Sequence, residues 1–490
     1  MCYEPGMLDS HRDARGAHRR GSWRTVTVVC VTVFAPLFAS AACGSTRSTF
    51  GNDINGATPD DAGDGSPGSL EPSDACLGTK CRVPACSAGT TTTLRGTAYA
   101  PNGTLPLYNV IAFVPEFGLA PLADGLTCDK CGTVSGNPIA SAVSDASGHF
   151  ELKGVPAGKD IPFVLQVGKW RRQVTIPYVA PCVVNDLSDP NLTRLPKDHT
   201  EGDIPHIAVT TGSCDTIGCV LPKMGISPSE FGVAADYAQK RVIFYKGADE
   251  ANTYPFEGAE PAQKLWGDLP TLSKFDTAIF SCECDEYPET KPDPDRTVVS
   301  QYLDHGGRVF TTDFGYTWIA GSLRGTMTAP PAPLPSIMGV FRGGAPPANP
   351  GTYSIDTTFP KGIALDQWLH VVDSTAVPGE IDLDHVFRNF DRADSALAQR
   401  WVYGSSEDKV FTFTTPFSSP KADRCGKAIY LDMHVGNTAS DVSHQPSLGK
   451  PFPTSCGTAP LTAQEKMLVF FLMDLASCIQ DDAAVVVPPK

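Results

Sequence analysis

Phe275-Asp276-Thr277-Ala278-Ile279-Phe280-Ser281-Cys282, the run from 295 to 305, and Gly306-Gly307-Arg308-Val309-Phe310-Thr311-Thr312-Asp313 form the stretch on which the fold turns. The two flanking pieces are short apolar runs without alternation, the pattern of strands covered on both faces. Between them Val298, Val299, Tyr302 and Leu303 recur at helical spacing, and Gly306-Gly307 supplies the stop. Strand, helix, strand in that order predicts a mostly parallel α/β sheet. The same kind of run recurs at Ile207-Ala208-Val209, Val242-Ile243-Phe244-Tyr245 and Ala428-Ile429-Tyr430-Leu431, with a second helical stretch over 461–477. We therefore place an α/β domain over residues 206–478, with a tail over 479–490.

Working toward the amino terminus, residues 183–205 are rich in Asp, Pro and Asn and read as a connector. Upstream of it the period changes from long runs to alternation. Thr93 to Tyr99 and Leu107 to Val114 alternate around the turn Pro101-Asn102-Gly103, which predicts an antiparallel β-sandwich over 91–182. The composition agrees: 45 Gly and 43 Pro with only 19% charged residues exclude coiled coils and helical bundles. At 490 residues the chain is long enough for more than one domain. Its 39 Lys and Arg against 54 Asp and Glu leave a net charge of −15, and no basic stripe follows the first 24 residues. Nucleic acid is therefore excluded as a partner.

The first 24 residues hold Arg12, Arg15, Arg19, Arg20 and Arg24, and residues 25–42 carry no charge. A basic segment, an apolar segment and a small-residue exit are the order of a secretory signal peptide, here 1–42. The exit Ser40-Ala41-Ala42-Cys43-Gly44 resembles the bacterial lipoprotein box, which implies cleavage before Cys43 and acylation of its thiol. Ser40 departs from the Leu usual at that place. Lipidation would hold the protein at a membrane, since each buried methylene contributes about 0.8 kcal/mol. Residues 43–90 then read as a flexible tether with a Cys cluster, too poor in aliphatic residues to offset their ordering entropy. Setting aside Cys2, Cys30 and Cys43 leaves 13 cysteines in the exported part, an odd number, so at least one thiol has no intrachain partner. Disulfides are the default fate there. The candidates are Cys76, Cys81, Cys86, Cys128, Cys131, Cys182, Cys214 and Cys219, with Cys128 and Cys131 expected to form a local loop staple. Cys282 and Cys284, at a strand end, are expected to take disulfides to other segments rather than to bind one metal together.

Two further resemblances add to this reading. Gly96, Leu107, Val110, Asp145, Gly148, Phe150, Val155, Pro156 and Gly158 fall where the carboxypeptidase regulatory-like domain, a transthyretin-like sandwich, carries its pattern. That resemblance implies a structural or binding module without catalytic residues. Val298 to Phe310 and Cys425-Gly426-Lys427-Ala428-Ile429-Tyr430-Leu431-Asp432-Met433-His434 resemble the class I glutamine-amidotransferase-like fold, which implies a flavodoxin-like sheet. The match is weak over 320–422.

Ligands of open parallel sheets sit past the carboxyl ends of the strands. Thr211, Gly212, Lys246, Glu283, Asp285, Glu286, Asp313, Asp432 and His434 are expected there. Amidotransferases need a Cys in the elbow after the Gly-Gly strand, and here that position is Asp313. Asp313, Asp432, His434 and Glu283 are thus the catalytic candidates, as acid, base or metal ligands; the other reading makes them helix caps and lining of a relic cleft. No cofactor and no resident metal are expected. The assembly of these parts resembles surface lipoproteins of myxobacteria. The expectation is a non-enzymatic cell-envelope lipoprotein at the outer membrane, anchored through Cys43, that binds a protein or glycan or serves as a structural module. The competing expectation is an exported hydrolase using the Asp/His crevice of the α/β domain.

Overall fold

The alternation that begins at Thr93 folds into seven short strands, as a computed structural model of the chain shows. It describes residues 78–131, 133–248, 257–322, 329–340, 347–435 and 451–488. Residues 1–77, with Cys43 and Cys76, lie outside the described residues, and so do the expected signal peptide and the first part of the expected tether. The seven strands are β1 (Thr93–Thr97), β2 (Ile111–Pro115), β3 (Pro138–Val143), β4 (His149–Lys153), β5 (Gly158–Val167), β6 (Trp170–Val179) and β7 (Val184–Leu187). They form a three-stranded sheet of order β4-β1-β7 and a four-stranded sheet of order β3-β2-β5-β6. In β4 the outward His149, Glu151 and Lys153 alternate with the buried Phe150 and Leu152. Phe150 stacks on Phe163 of the other sheet at 5.5 Å. Gly96 stands opposite Phe150 in the register, and a Cβ there would crowd both that ring and Leu187. Asp145 turns the chain into β4 by accepting hydrogen bonds from the amides of Ser147 and His149, at 2.8 and 3.0 Å. β7 lies within the stretch assigned by sequence to the connector; it runs parallel to β1 and completes that sheet.

Twelve more strands follow: β8 (Ile207–Thr210), β9 (Phe231–Val233), β10 (Val242–Tyr245), β11 (Thr277–Phe280), β12 (Arg308–Thr312), β13 (Met338–Val340), β14 (Gly351–Ile355), β15 (Glu380–Leu383), β16 (Phe390–Ala393), β17 (Gln399–Tyr403), β18 (Asp408–Thr415) and β19 (Gly426–Leu431). Ten of them build one sheet of order β15-β14-β17-β18-β19-β12-β11-β8-β10-β9. From β19 to β9 every neighbouring pair is parallel, with β11 between β8 and β12 in unbroken register. From β19 outward the pairs β18, β17, β14 and β15 are antiparallel. The sheet is therefore mixed, a correction to the mostly parallel sheet expected from sequence. The antiparallel half comes from residues 351–415, whose strands mix polar with apolar residues and do not read as continuous apolar runs. β8, β10, β11, β12 and β19 are buried along their whole lengths, as their apolar runs require.

The helix Asp293–Asp304 follows the sequence expectation. Pro294 lies in its first turn with Asp293 and Asp295, which suit the positive end of the helix dipole. It buries Val299, Tyr302 and Leu303, and Gly306 takes a φ of +106° at its end. The helix Ala463–Ala476 opens with a capping box. Thr462 Oγ1 accepts from the Glu465 amide at 3.1 Å, and Glu465 Oε2 accepts from the Thr462 amide at 2.8 Å. Every residue from Met467 to Leu475 is buried, because this helix packs between the large sheet and the sandwich. Phe470 stacks on Tyr108 of the sandwich at 5.7 Å and tilts against Trp368 of the helix Pro360–Val371 at 5.6 Å. Trp368 in turn donates its indole N–H to the Pro106 carbonyl at 2.8 Å. The sandwich and the large sheet thus share one apolar core.

Five disulfides tie the described residues together: Cys86–Cys182, Cys128–Cys425, Cys131–Cys478, Cys214–Cys284 and Cys219–Cys456. Cys81 is also disulfide-bonded. Cys282 is the free thiol among the described cysteines, and it is buried. Cys128 and Cys131 do not pair with each other. Their loop lies against the large sheet, where Lys130 pairs with Ile479 in a short parallel bridge, so the two thiols reach two different segments. A bridge between residues three apart forgoes the large loop-closure term that distant partners give. Disulfides of this number are those of an oxidising, extracytoplasmic compartment. No helix among the described residues is long and apolar enough to cross a membrane.

Candidate functional site

Strand β12 ends in Thr312 and delivers Asp313 into the left-handed region, at a φ of +39°. Aspartate tolerates that conformation better than most side chains, and the sharp bend turns its carboxylate inward among the carboxyl ends of β11 and β19. Residues 430, 432 and 434 follow the period of two along β19 and its extension, so Tyr430, Asp432 and His434 point to the same side. The structure brings these elements together. His434 Nε2 lies 2.8 Å from Asp313 Oδ2, and the Cys282 thiol lies 3.2 Å from the same oxygen. Asn389 Nδ2 donates to Asp313 Oδ1 and to Asp432 Oδ1, both at 2.7 Å, and the Asn389 amide donates to Asp432 Oδ2 at 3.1 Å. Tyr430 donates its hydroxyl to the Asp313 carbonyl at 2.8 Å and stands 3.0 Å from Asp432 Oδ1.

A second carboxylate, Asp215, closes the cluster from below. It is fully buried and accepts from the Val435 amide at 2.5 Å, from the Cys282 amide at 3.1 Å and from the Thr312 hydroxyl. Lys409 is the buried cation, 3.7 Å from Asp432 Oδ2 and bonded to the Phe387 carbonyl. Phe387 also faces the His434 ring, with centroids 4.5 Å apart. Gly212 is required where the loop after β8 passes this cluster, since a Cβ would run into the Cys282 carbonyl.

Burial sets the electrostatics. It pushes the Asp432 carboxyl up to about 6, against the pull of Lys409. It pushes the Asp215 carboxyl up as well. The Cys282 thiol is driven well above its usual value by burial and then by the Asp313 and Asp215 charges. For His434 burial works against the imidazolium, yet its hydrogen bond to Asp313 and the nearby Asp215 carry its pKa above the ordinary value. A thiol held in its protonated form and hydrogen-bonded to a carboxylate is not an activated nucleophile.

Of the residues expected at this edge, Asp313, Asp432 and His434 do converge. Glu283 is engaged elsewhere: Lys291 pairs with it, and the Ala248 amide donates to it at 2.5 Å. Lys291 also lies over the Trp266 ring at 5.6 Å. Glu286 is fully buried and accepts from the hydroxyls of Tyr316 and Ser322, and Asp285 accepts from the Glu286 amide at 2.7 Å. Lys246 lends its backbone to a bridge with Pro261. Thr211 is buried in the sheet, its hydroxyl facing the Gly247 amide at 3.3 Å. Cys284 takes a disulfide, as expected, but Cys282 does not. Sequence reasoning missed Asp215, Asn389 and Lys409, and it assigned Cys282 to a disulfide. The odd cysteine count was the signal for a free thiol, without saying which; Asn389 lies in the stretch that showed no strand pattern.

No family model matches the chain, and no curated protein matches it. Among solved structures, a C-terminal interface mutant of a type II cohesin–X-dockerin complex from Acetivibrio cellulolyticus is similar at 17% identity, over 30% of this chain and 79% of that one, with a TM-score of 0.15. An N-terminal interface mutant of the same complex is similar at 14% identity over 31% and 88%, with a TM-score of 0.14. A 9R-lipoxygenase from Cyanothece is similar at 14% over 22% and 18%, with a TM-score of 0.11. Likenesses of this size carry no argument about fold or function.

Proposed function

We propose that this protein is a non-enzymatic lipoprotein of the cell envelope, anchored in the outer membrane through Cys43, whose sandwich and α/β parts bind a protein or glycan or act as a structural module. In this reading the sandwich is a carboxypeptidase regulatory-like domain, and the parallel strands are a flavodoxin-like sheet related to the amidotransferases that has lost their chemistry. The observation that carries it is the state of Asp313. At the place where the amidotransferase resemblance implies a nucleophilic Cys, this carboxylate is 1% exposed, and both its oxygens already accept hydrogen bonds from Asn389, His434 and Cys282. Such a group supports the packing of three strand ends rather than attack on a substrate. The disulfides support export.

The test uses Asp313→Asn and His434→Ala in the exported protein. Each is expected to lower stability by about 1–3 kcal/mol, since each leaves buried partners unsatisfied. Wild-type protein is expected to hydrolyse none of a panel of amide, ester, glycoside and phosphoester substrates. A wild-type activity that both variants abolish at an unchanged melting temperature would replace this reading with the hydrolase.

A further inference from the structure

The strand-end cluster contains more negative charge than its own cations balance. Asp215, Asp313 and Asp432 are buried carboxylates, at 0%, 1% and 0% exposure. Lys409 is the buried ammonium that faces them, within reach of Glu407 as well at 3.9 Å, and His434, paired with Asp313, adds a second positive charge when protonated, so two cations face four carboxylates. Buried charge of one sign is costly unless it is paired or coordinates a metal. In the same place Cys282, Asp313 and His434 each present one donor atom, and the three atoms lie within 4.8 Å of one another.

We propose that Cys282, Asp313 and His434 bind one divalent transition-metal ion of the zinc class. One sulfur, one nitrogen and one oxygen donor suit zinc and its neighbours, whereas magnesium and calcium take oxygen ligands. Zinc bonds of about 2.0 Å to O and N and about 2.3 Å to S place tetrahedral donors roughly 3.3–3.6 Å apart. The observed N···O separation of 2.8 Å and S···O separation of 3.2 Å need to open by only about half an ångström. Three different segments carry these donors, so the ion would clamp the ends of β11, β12 and β19 together.

The outer shell is in place. Asn389 holds Asp313 by Oδ1 and leaves Oδ2 toward Cys282 and His434, the kind of support that orients metal carboxylates. Binding breaks the S–H bond of Cys282 and the N–H bond at Nε2 of His434. The thiol proton leaves to solvent; from a neutral imidazole the Nε2 proton passes to Nδ1 and the dication lowers the local negative charge by one, whereas from an imidazolium the Nε2 proton also leaves and the net charge is unchanged. Three protein donors fill all but one of the four positions zinc takes. The site does not depend on whether the protein is an enzyme, so the proposal stands or falls apart from the functional reading above.

Cobalt(II) is the probe. Full-length exported protein, treated with a chelator and kept free of reductant so that its disulfides stay closed, is titrated with cobalt chloride. The expected result is one equivalent bound with a thiolate-to-cobalt charge-transfer band, which zinc chloride bleaches by displacement, and a melting temperature that rises with metal concentration. Cys282→Ser keeps a hydroxyl beside Asp313 and is expected to lose the band while weakening binding by ~100-fold or more. Asn389→Ala is expected to weaken it by ~10–100-fold with the band retained. Should Cys282→Ser fail to fold, His434→Gln with the same cobalt titration provides the comparison. A wild-type protein that shows no charge-transfer band, or a band that survives Cys282→Ser, overturns the assignment.

Discussion

Asp482 lies past the last cysteine, in the segment that reads as a tail, yet it is 7% exposed and sits in a buried four-charge cluster. Its Oδ1 accepts from Lys361 at 2.9 Å and from Lys427 at 2.7 Å, and its Oδ2 accepts from Thr412 at 2.8 Å. Asp474 pairs with the same two lysines at 2.6 and 2.5 Å. Two ammonium groups and two carboxylates thus neutralise one another out of water. Asp482→Asn keeps the shape and removes one negative charge, leaving two buried ammonium groups against Asp474 alone. Breaking a buried pair in this way costs about 3–5 kcal/mol, roughly a fifth or more of the ~5–15 kcal/mol that holds a typical domain folded. Urea unfolding at pH 7, followed by tryptophan fluorescence, measures it. The double variant Asp482→Asn/Lys427→Met leaves Lys361 with Asp474 as a neutral pair, so it is expected to cost at least ~1 kcal/mol less than the sum of the single variants. The pH dependence has a definite sign. Burial opposes the charge on Asp482, but Lys361 and Lys427 hold its carboxyl far below the usual range. The stability it contributes is therefore complete above about pH 4 and is lost as pH falls below that. A loss under ~0.5 kcal/mol for Asp482→Asn, or strict additivity in the cycle, would refute the reasoning.

Three other outcomes are expected. His206 accepts a hydrogen bond from Arg241 at 2.5 Å and stacks on Tyr237 at 4.2 Å, and burial together with Arg241 lowers its pKa to about 4. Its neutral form contributes stability that is complete above about pH 6.5 and is lost as pH falls toward 4, so His206→Gln should flatten that part of a stability–pH curve measured by urea titration. Replacing Cys131 and Cys478 together by Ser removes a bridge between residues 347 apart in sequence; a loss of about 2–5 kcal/mol is expected in chemical denaturation, and no loss would mean that the sandwich insertion gains nothing from being held to the large sheet. Mass spectrometry of the mature amino terminus should find an acylated Cys43; an intact Met1 would sink the lipid anchor.

Much of the architecture was legible because it rests on local periodicity. The runs at Ile207, Val242, Thr277, Arg308 and Ala428 became buried strands, since a fully covered strand has no polar face to write into its sequence. The helix Asp293–Asp304 declared itself through one apolar face and a double-glycine stop. The alternation from Thr93 declared a sandwich, and Asp145 and Gly148 declared the turn into β4. The strands of residues 351–415 did not declare themselves. β14, β15, β17 and β18 are stabilised by pairing with one another and with β19, and that gain is absent from any single strand's pattern.

Partnership between distant residues belonged to the tertiary structure. An odd cysteine count required an unpaired thiol, but only the folded chain shows that Cys284 reaches Cys214 while its neighbour Cys282 turns to Asp313 and His434. Sequence placed Asp313, Asp432 and His434 at strand ends, because the ends of parallel strands are readable from the runs that precede them. It could not place Asp215, Asn389, Lys409 or Asp482 beside them or in the core. Each comes from a loop, a strand or a terminal segment whose local sequence is satisfied equally well by solvent, and burial is decided by what the rest of the chain lays over it.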